Sequence, residues 1–128
     1  MEQIRSFLSK DQFARHNGIE LLDCSKGTAR AKMEIKDYHL NGVGIVHGGA
    51  IFALADFVFA AASNSHGTVA VAINASIWYV KAASEGTLFA EAEEVSLQPK
   101  LATYSINVTN EDREIIASFQ GMVYRKRS

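Results

Sequence analysis

The sequence has little of several residue types that mark particular classes of protein. Cysteine occurs once, as Cys24, and proline occurs once, as Pro99. A lone cysteine excludes an internal disulfide and favours a cytoplasmic protein, because structural disulfides belong to oxidising compartments. With no Pro-, Gly- or Ser-rich linker, residues 1–128 are predicted to form one domain.

An excess of charge of one sign and a membrane-length apolar run are also missing. The 13 basic and 14 acidic side chains nearly cancel, so the composition favours neither nucleic acid nor an anionic membrane as a partner. The most apolar stretch, 50–62, is shorter than the ~20 residues that cross a bilayer, and it contains Asp56. It is therefore predicted to be a buried helix.

The residues that are present suffice for a globular core, since 48% of them are hydrophobic, which excludes disorder. Periodicity predicts an N-terminal helix within 1–16, a central helix at 47–65 and six strands, at 19–24, 28–35, 69–81, 87–97, 102–108 and 115–124. A turn at 84–86 joins the third and fourth strands. Consecutive strands without intervening helices are typical of antiparallel sheets, so we expect an α+β fold whose sheet wraps the central helix.

The central helix carries apolar residues on every side, which predicts that it is buried all round. Asp56 is its only ionisable residue. A lone carboxylate in an apolar wall has a raised pKa and is typical of a general base. The alternative is structural: Asp56 meets a buried partner or faces water through a gap.

The sequence His47-Gly48-Gly49 stands at the start of this helix. Free N–H groups at a helix N-terminus suit a developing negative charge, although a glycine turn with a capping histidine is the alternative. Asp56 lies about 12 Å further along the helix than Gly48, at ~1.5 Å per residue. If both act, we predict a site that combines Gly48 of one subunit with Asp56 of another. The histidines predicted to be plain surface residues are His16, His39 and His66.

A spaced set of residues surrounds these candidates. Its members are Asn41, six residues before His47-Gly48-Gly49, then Phe52, Leu54-Ala55-Asp56, Phe59-Ala60, Asn64-Ser65 and Gly67. This set resembles the signature of hotdog-fold acyl-CoA thioesterases, and within them the phenylacetic acid degradation branch. The resemblance implies a hotdog fold, with a long central helix wrapped by a curved antiparallel β-sheet. It also implies a homo-oligomer, in which subunits pair sheet edge to sheet edge and two dimers form a tetramer.

The resemblance also implies roles for individual residues in hydrolysing a small aryl- or acyl-CoA thioester similar to phenylacetyl-CoA. The Gly48 N–H would polarise the thioester carbonyl, and Asn41 would hydrogen-bond at the same end of the substrate. Asp56 of the facing subunit would activate water or attack directly. His47 would hold the loop and, with Gly49, border the substrate. No metal or bound cofactor is implied, and coenzyme A enters only as part of the substrate.

Two points stay open. Some thioesterases of this layout hold the water with Ser or Thr where this chain has Ala60 and Ala72, which leaves Asn74, Ser76 or a backbone group for that task. Two other functions compete: a hotdog 3-hydroxyacyl-thioester dehydratase or hydratase that uses His47, and a non-catalytic acyl-CoA-binding module. Aromatic residues expected either to meet an aryl group or to pack in a core or interface are Phe57, Trp78 and Tyr79.

Overall fold

The computed structural model describes residues 2–126. The elements, in order, are α1 (Glu2–Leu8), α2 (Gln12–His16), β1 (Ile19–Ser25), β2 (Thr28–Glu34), a 3₁₀ turn (Asp37–His39), α3 (Gly48–Ser63), β3 (Ala70–Tyr79), β4 (Thr87–Leu97), β5 (Leu101–Thr109) and β6 (Ile115–Arg125). The predicted order of strands and central helix is confirmed. The single N-terminal helix was wrong: Asp11 accepts a hydrogen bond from the Ala14 N–H at 2.9 Å and so starts a second helix.

All neighbouring strands of the sheet are antiparallel, and their spatial order is β1-β2-β4-β5-β6-β3. β3 pairs with β6 and not with β4, so the predicted turn at 84–86 closes no hairpin. The connection instead passes the start of α3 and the end of β2. There the Val46 N–H donates to the Ala83 carbonyl, and the Ile35 N–H donates to the Gly86 carbonyl, both at 2.8 Å.

The core lies between α3 and one face of the sheet. Alternate residues of β5 face the helix and are buried: Ala102, Tyr104, Ile106 and Val108. The Phe59 ring of α3 packs against the rings of Tyr104 and Phe119, with centroids 5.9 and 5.5 Å away. Gly121 of β6 makes room for it, because a Cβ there would lie 2.5 Å from Phe59 Cζ. This packing fixes the height of α3 above the sheet.

The helix is not buried all round, contrary to expectation. Gly49 and Asp56 are exposed, and Ala53 and Ala60 are only partly buried. These four residues follow one another at helical spacing, and we call them the open line of α3. The opposite side carries the fully buried Leu54, Val58 and Ala61. Residues 2–126 form one sheet, which packs on one side of the helix and leaves the open line uncovered.

The two edges of the sheet differ in character. β1 carries charged residues, has a register shift between Leu21 and Asp23, and packs against α2. β3 contains no charged residue, and 40% of Val71, 55% of Ile73 and 74% of Trp78 is exposed. Charge and bulges are the usual protection of a sheet edge against pairing with another strand. The β3 edge lacks the charge, which makes it the more adhesive of the two.

Candidate active site

The first turn of α3 offers one free backbone donor. His47 caps the helix, because its Nδ1 accepts a hydrogen bond from the Gly49 N–H at 2.8 Å. The N–H groups of Ala50 and Ile51 both donate to the His47 carbonyl. The Gly48 N–H donates to no group among residues 2–126. At the positive end of the helix dipole, Gly48 is therefore the N–H available to an oxyanion.

Tyr79, the last residue of β3, covers Gly48 from the sheet side. Its hydroxyl donates to the Gly48 carbonyl at 3.2 Å. A Cβ on Gly48 would lie 3.2 Å from Tyr79 Cζ, so the ring rests directly on the glycine. The sequence indicated Tyr79 only as an aromatic residue near an aryl group or an interface. Its contact with Gly48 depends on the pairing of β3 with β6, which no local pattern encodes.

Asp56 lies on the open line of α3, two turns beyond Gly48. Its side chain reaches the surface of the single chain, yet the surrounding protein still removes water from the carboxyl. This desolvation raises the pKa of Asp56, and the nearby carboxylate of Asp11 at the start of α2 raises it further. The carboxyl is thus both reachable and a stronger base than an ordinary aspartate.

Asn41 organises the loop that precedes α3. Its Oδ1 accepts hydrogen bonds from the N–H groups of Val43 at 3.0 Å and Ile45 at 3.3 Å. The Asn41 N–H donates to the Ile45 carbonyl at 2.8 Å, which closes the loop. The side-chain Nδ2 donates to no residue in the described part of the chain. The amide therefore has its acceptor used for structure and its donor available.

Asn74 and Ser76 stand apart from these groups. They pair with Met122 and Gln120 of β6 and project from the sheet face opposite to α3, into a groove shared with Thr103 of β5. Within one chain they therefore lie on the far side of the sheet from Asp56. The alternation of β3, whose Ile77 packs on the core, places them there.

Two of the three histidines predicted to be surface residues are not. His39 is 2% exposed: its Nδ1 accepts from the Lys36 N–H, so its Nε2 carries the proton and donates to the Asn17 carbonyl at 3.0 Å. His66 lies 2.7 Å from Glu94 through Nε2 and is partly buried. Each fills a gap between segments distant in sequence. His16 is exposed, as predicted.

The three aromatic candidates separate in space. Phe57 is buried and lines an open cavity of about 430 Å³ between α1, α2 and β1, together with Asp11 and apolar residues such as Leu8 and Leu21. Trp78 projects from the outer sheet face. Only Tyr79 borders the free donor of Gly48.

Among residues 2–126, no three His, Cys, Asp or Glu side chains group as metal ligands. No helix in this range is long and apolar enough to cross a membrane.

Comparison with known proteins gives consistent matches. The family description "Thioesterase superfamily" fits residues 43–117. A putative esterase of Archaeoglobus fulgidus is 45% identical over 98% of this chain and 82% of its own length. The acyl-coenzyme A thioesterase PaaI of Escherichia coli is 30% identical over 97% of this chain and 89% of its own length.

Solved structures agree with the sequence matches. The structure of Escherichia coli PaaI, from the phenylacetic acid degradation operon, superposes with a TM-score of 0.93 over 97% of this chain and 91% of that one, at 30% identity. A Streptococcus mutans protein bound to acetyl-CoA superposes with a TM-score of 0.81 at 28% identity, over 84% of this chain and 88% of that one.

Proposed function

This chain belongs to the thioesterase superfamily, has its hotdog fold and is a thioester hydrolase; from that premise we propose that it hydrolyses small aryl- or acyl-CoA thioesters of the phenylacetyl-CoA type. The observation that carries this proposal is the Gly48 N–H at the start of α3, which donates to no group within residues 2–126, while its neighbours are used by the helix cap. The activity of PaaI and the acetyl-CoA bound by the Streptococcus protein support acyl-CoA as the substrate class.

The carbonyl of the thioester is held at the start of α3. The Gly48 N–H and the free Nδ2 of Asn41 both donate to its oxygen, which gains negative charge as the tetrahedral intermediate forms. One such donor is worth about 2.7–4 kcal/mol of transition-state stabilisation. The Nδ1 of His47 accepts a hydrogen bond from the Gly49 N–H, which supports a role in shaping the loop over the role of a dehydratase base.

Asp56 activates the attacking nucleophile. As a general base it takes a proton from water while the water oxygen bonds to the carbonyl carbon. The C–S bond then breaks, and the proton passes to the leaving coenzyme A thiolate. Its raised pKa brings the carboxyl closer to neutral pH, where a base is most effective. In the second route the carboxylate attacks the carbonyl carbon directly, the C–S bond breaks to release the coenzyme A thiolate, and water then opens the resulting anhydride.

The two halves of the site come from different subunits. Along α3 the carboxyl of Asp56 lies about 12 Å beyond Gly48, too far to serve the same carbonyl. The uncharged β3 edge supplies a surface for a second copy, through Val71, Ile73 and their neighbours. Pairing across this edge joins two sheets and brings the open line of one α3 towards the start of the other. We place the acyl group along Ala53 and Ala60 of that line, and the full assembly is a dimer of dimers.

Asp56→Asn tests the proposal. The variant keeps the size of the side chain and removes its basicity, so hydrolysis of phenylacetyl-CoA should fall by at least about 10²-fold, the usual contribution of a positioned base. Free thiol release measures turnover, and sedimentation confirms assembly. The matched control is Asp112→Asn in the exposed turn before β6, which should keep full activity. Full turnover in a correctly assembled Asp56→Asn enzyme would place the chemistry elsewhere.

Two further measurements resolve the chemistry of the same site. Single-turnover hydrolysis in H₂¹⁸O labels the Asp56 carboxyl if the carboxylate attacks directly and water opens the anhydride at the aspartyl carbonyl, whereas a general base leaves Asp56 unlabelled. A panel of aryl- and alkyl-CoA thioesters, ranked by kcat/KM, identifies the acyl group. Enoyl product without thiol release would instead indicate the dehydratase.

A further inference from the structure

The ring of Tyr79 and the backbone of Gly48 form a contact that the catalytic scheme above does not use. The hydroxyl donates to the Gly48 carbonyl at 3.2 Å, and the ring occupies the space that a Cβ would take, with Cζ, Oη and Cε1 3.2–3.4 Å from that point. The contact joins β3 to α3 across 31 positions of sequence. It acts on the residue whose N–H faces the substrate.

We propose that Tyr79 is a positioning residue that holds the Gly48 backbone by its carbonyl and its Cα, and so keeps the preceding peptide unit, which carries the Gly48 N–H, aimed at the thioester oxygen. The inference rests on the proposed function, because it assigns Gly48 as the oxyanion donor. Tyr79 itself makes no bond to the reacting atoms. Its hydroxyl holds the carbonyl side of Gly48 and its ring blocks one side of the Cα, which leaves the N–H side open.

The first turn of α3 needs such a support. Two consecutive glycines begin the helix, and glycine has more backbone freedom to lose than any other residue. The imidazole of His47 restrains Gly49, because its Nδ1 accepts a hydrogen bond from the Gly49 N–H. Within the part of the chain that the structure describes, the polar contact that Gly48 receives from outside the helix is the hydrogen bond from Tyr79. A donor that moves freely loses most of its value to an oxyanion, because electrostatic stabilisation depends on preorganisation.

The base of the Tyr79 side chain is itself well fixed. Tyr79 pairs with Ala117 of β6, which is fully buried. Immediately after it, the N–H groups of Val80 and Lys81 both donate to the Ile116 carbonyl, at 2.8 and 3.2 Å. The strand end is therefore anchored to the central part of the sheet. The ring transmits that fixed position to the helix start.

Tyr79→Phe removes the hydroxyl and keeps the ring. Loss of one neutral hydrogen bond that orients the donor should lower kcat about 3- to 10-fold, with KM little changed. Because the carbonyl is common to all substrates, the decrease should be the same across aryl- and alkyl-CoA thioesters. The matched control is Tyr124→Phe, which removes the same atom from an exposed tyrosine of β6 and should keep the wild-type kcat. Sedimentation shows whether both variants assemble.

The outcomes separate the two proposals. Wild-type kcat in Tyr79→Phe, or a decrease in kcat/KM that varies with the acyl group through KM, would overturn the positioning role, the latter in favour of direct substrate contact. If the wild type hydrolyses no thioester, the proposed function fails, and the Gly48 amide resonance then decides the inference. A shift of that ¹H–¹⁵N signal in Tyr79→Phe that is absent in Tyr124→Phe supports the positioning role of Tyr79. An unchanged signal contradicts it.

Discussion

Asp56 combines accessibility with an environment that disfavours its charge. Desolvation makes the larger contribution to its raised pKa, and the carboxylate of Asp11 raises the pKa further. The acid side of the kcat/KM profile reports the pKa of an essential base in the free enzyme. We therefore expect activity to fall below a pH that lies above the ordinary aspartate value of about 4.

Asp11→Asn should move that acid limb to lower pH. The amide removes the negative charge near Asp56 but keeps an oxygen that can accept from the Ala14 N–H, so α2 remains capped. A profile of kcat/KM against pH measures the shift. The control is Glu20→Gln, at an exposed carboxylate that, like Asp11, borders the cavity between α1, α2 and β1. This variant should leave the acid limb in place. If the acid limb of Asp11→Asn does not move, the Asp11 charge does not act on the proposed base, Asp56.

At the scale of elements, a polar cluster ties the end of α3 to the sheet. Glu94 of β4 accepts from the buried Tyr104 hydroxyl of β5 at 2.6 Å and lies 2.7 Å from His66, just beyond α3. Burial alone would raise the pKa of Glu94, but the hydrogen bonds from Tyr104 and His66 outweigh it and lower the pKa. Burial raises the pKa of Tyr104, and the hydrogen bond to Glu94 raises it further.

Glu94→Gln should destabilise the fold by about 1.5 kcal/mol at pH 7, the lower end of the range for a hydrogen bond to a charged group. A lowered folded-state pKa contributes stability above the unfolded-state pKa, and that contribution is lost as pH falls through the folded value. The difference between wild type and variant in urea unfolding should therefore shrink towards zero below about pH 4. Glu93→Gln, at the exposed neighbouring position, should show no comparable loss. A difference that persists unchanged in acid would contradict a charge-dependent role.

Secondary structure was largely readable from the sequence, while spatial neighbours were not. The period-2 pattern gave the bounds of β4 as observed, and the apolar run around Asp56 gave α3 to within a residue or two. The pairing of β3 with β6 was not predicted, because strand order depends on contacts between distant segments. His39 and His66 were misjudged for the same reason, since their partners Asn17 and Glu94 lie 22 and 28 positions away.

In the molecule as a whole, two surfaces that border the candidate active site are left uncovered in the single chain. One is the open line of α3, and the other is the uncharged β3 edge. The sequence indicated that Gly48 and Asp56 are too far apart for a one-chain site. It could not indicate that Tyr79 joins the β3 edge to Gly48, because that contact exists only once β3 is in place.

Val71→Lys tests the role of the β3 edge. In a two-fold interface the substituted position occurs once in each subunit, so two lysines enter the interface. The affinity between subunits should therefore weaken at least about tenfold. Activity per chain should fall with the fraction of monomer, measured by sedimentation equilibrium and thiol release over a dilution series. Leu22→Lys, at the opposite edge in β1, should leave assembly and activity intact. A dimeric, active Val71→Lys enzyme would rule out pairing through β3.

If each site takes Gly48 from one subunit and Asp56 from another, two variants that are inactive alone should restore activity when their subunits are mixed. Gly48→Pro removes the donor N–H at the first helical position, which tolerates proline, and His47 already has the extended backbone that proline requires before it. Gly48→Ala is its control, because it meets Tyr79 in the same way but keeps the N–H.

The turnover of Gly48→Pro subunits mixed with Asp56→Asn subunits, after dissociation and reassembly, tests the shared active site directly. Each mixed dimer then holds one intact site and one doubly defective site. We predict that an equal mixture recovers about a quarter of wild-type turnover, since half of the two-fold dimers are mixed and half of their sites are intact. If each chain forms its own site, the mixture stays as inactive as its two components, and that result would contradict the shared active site.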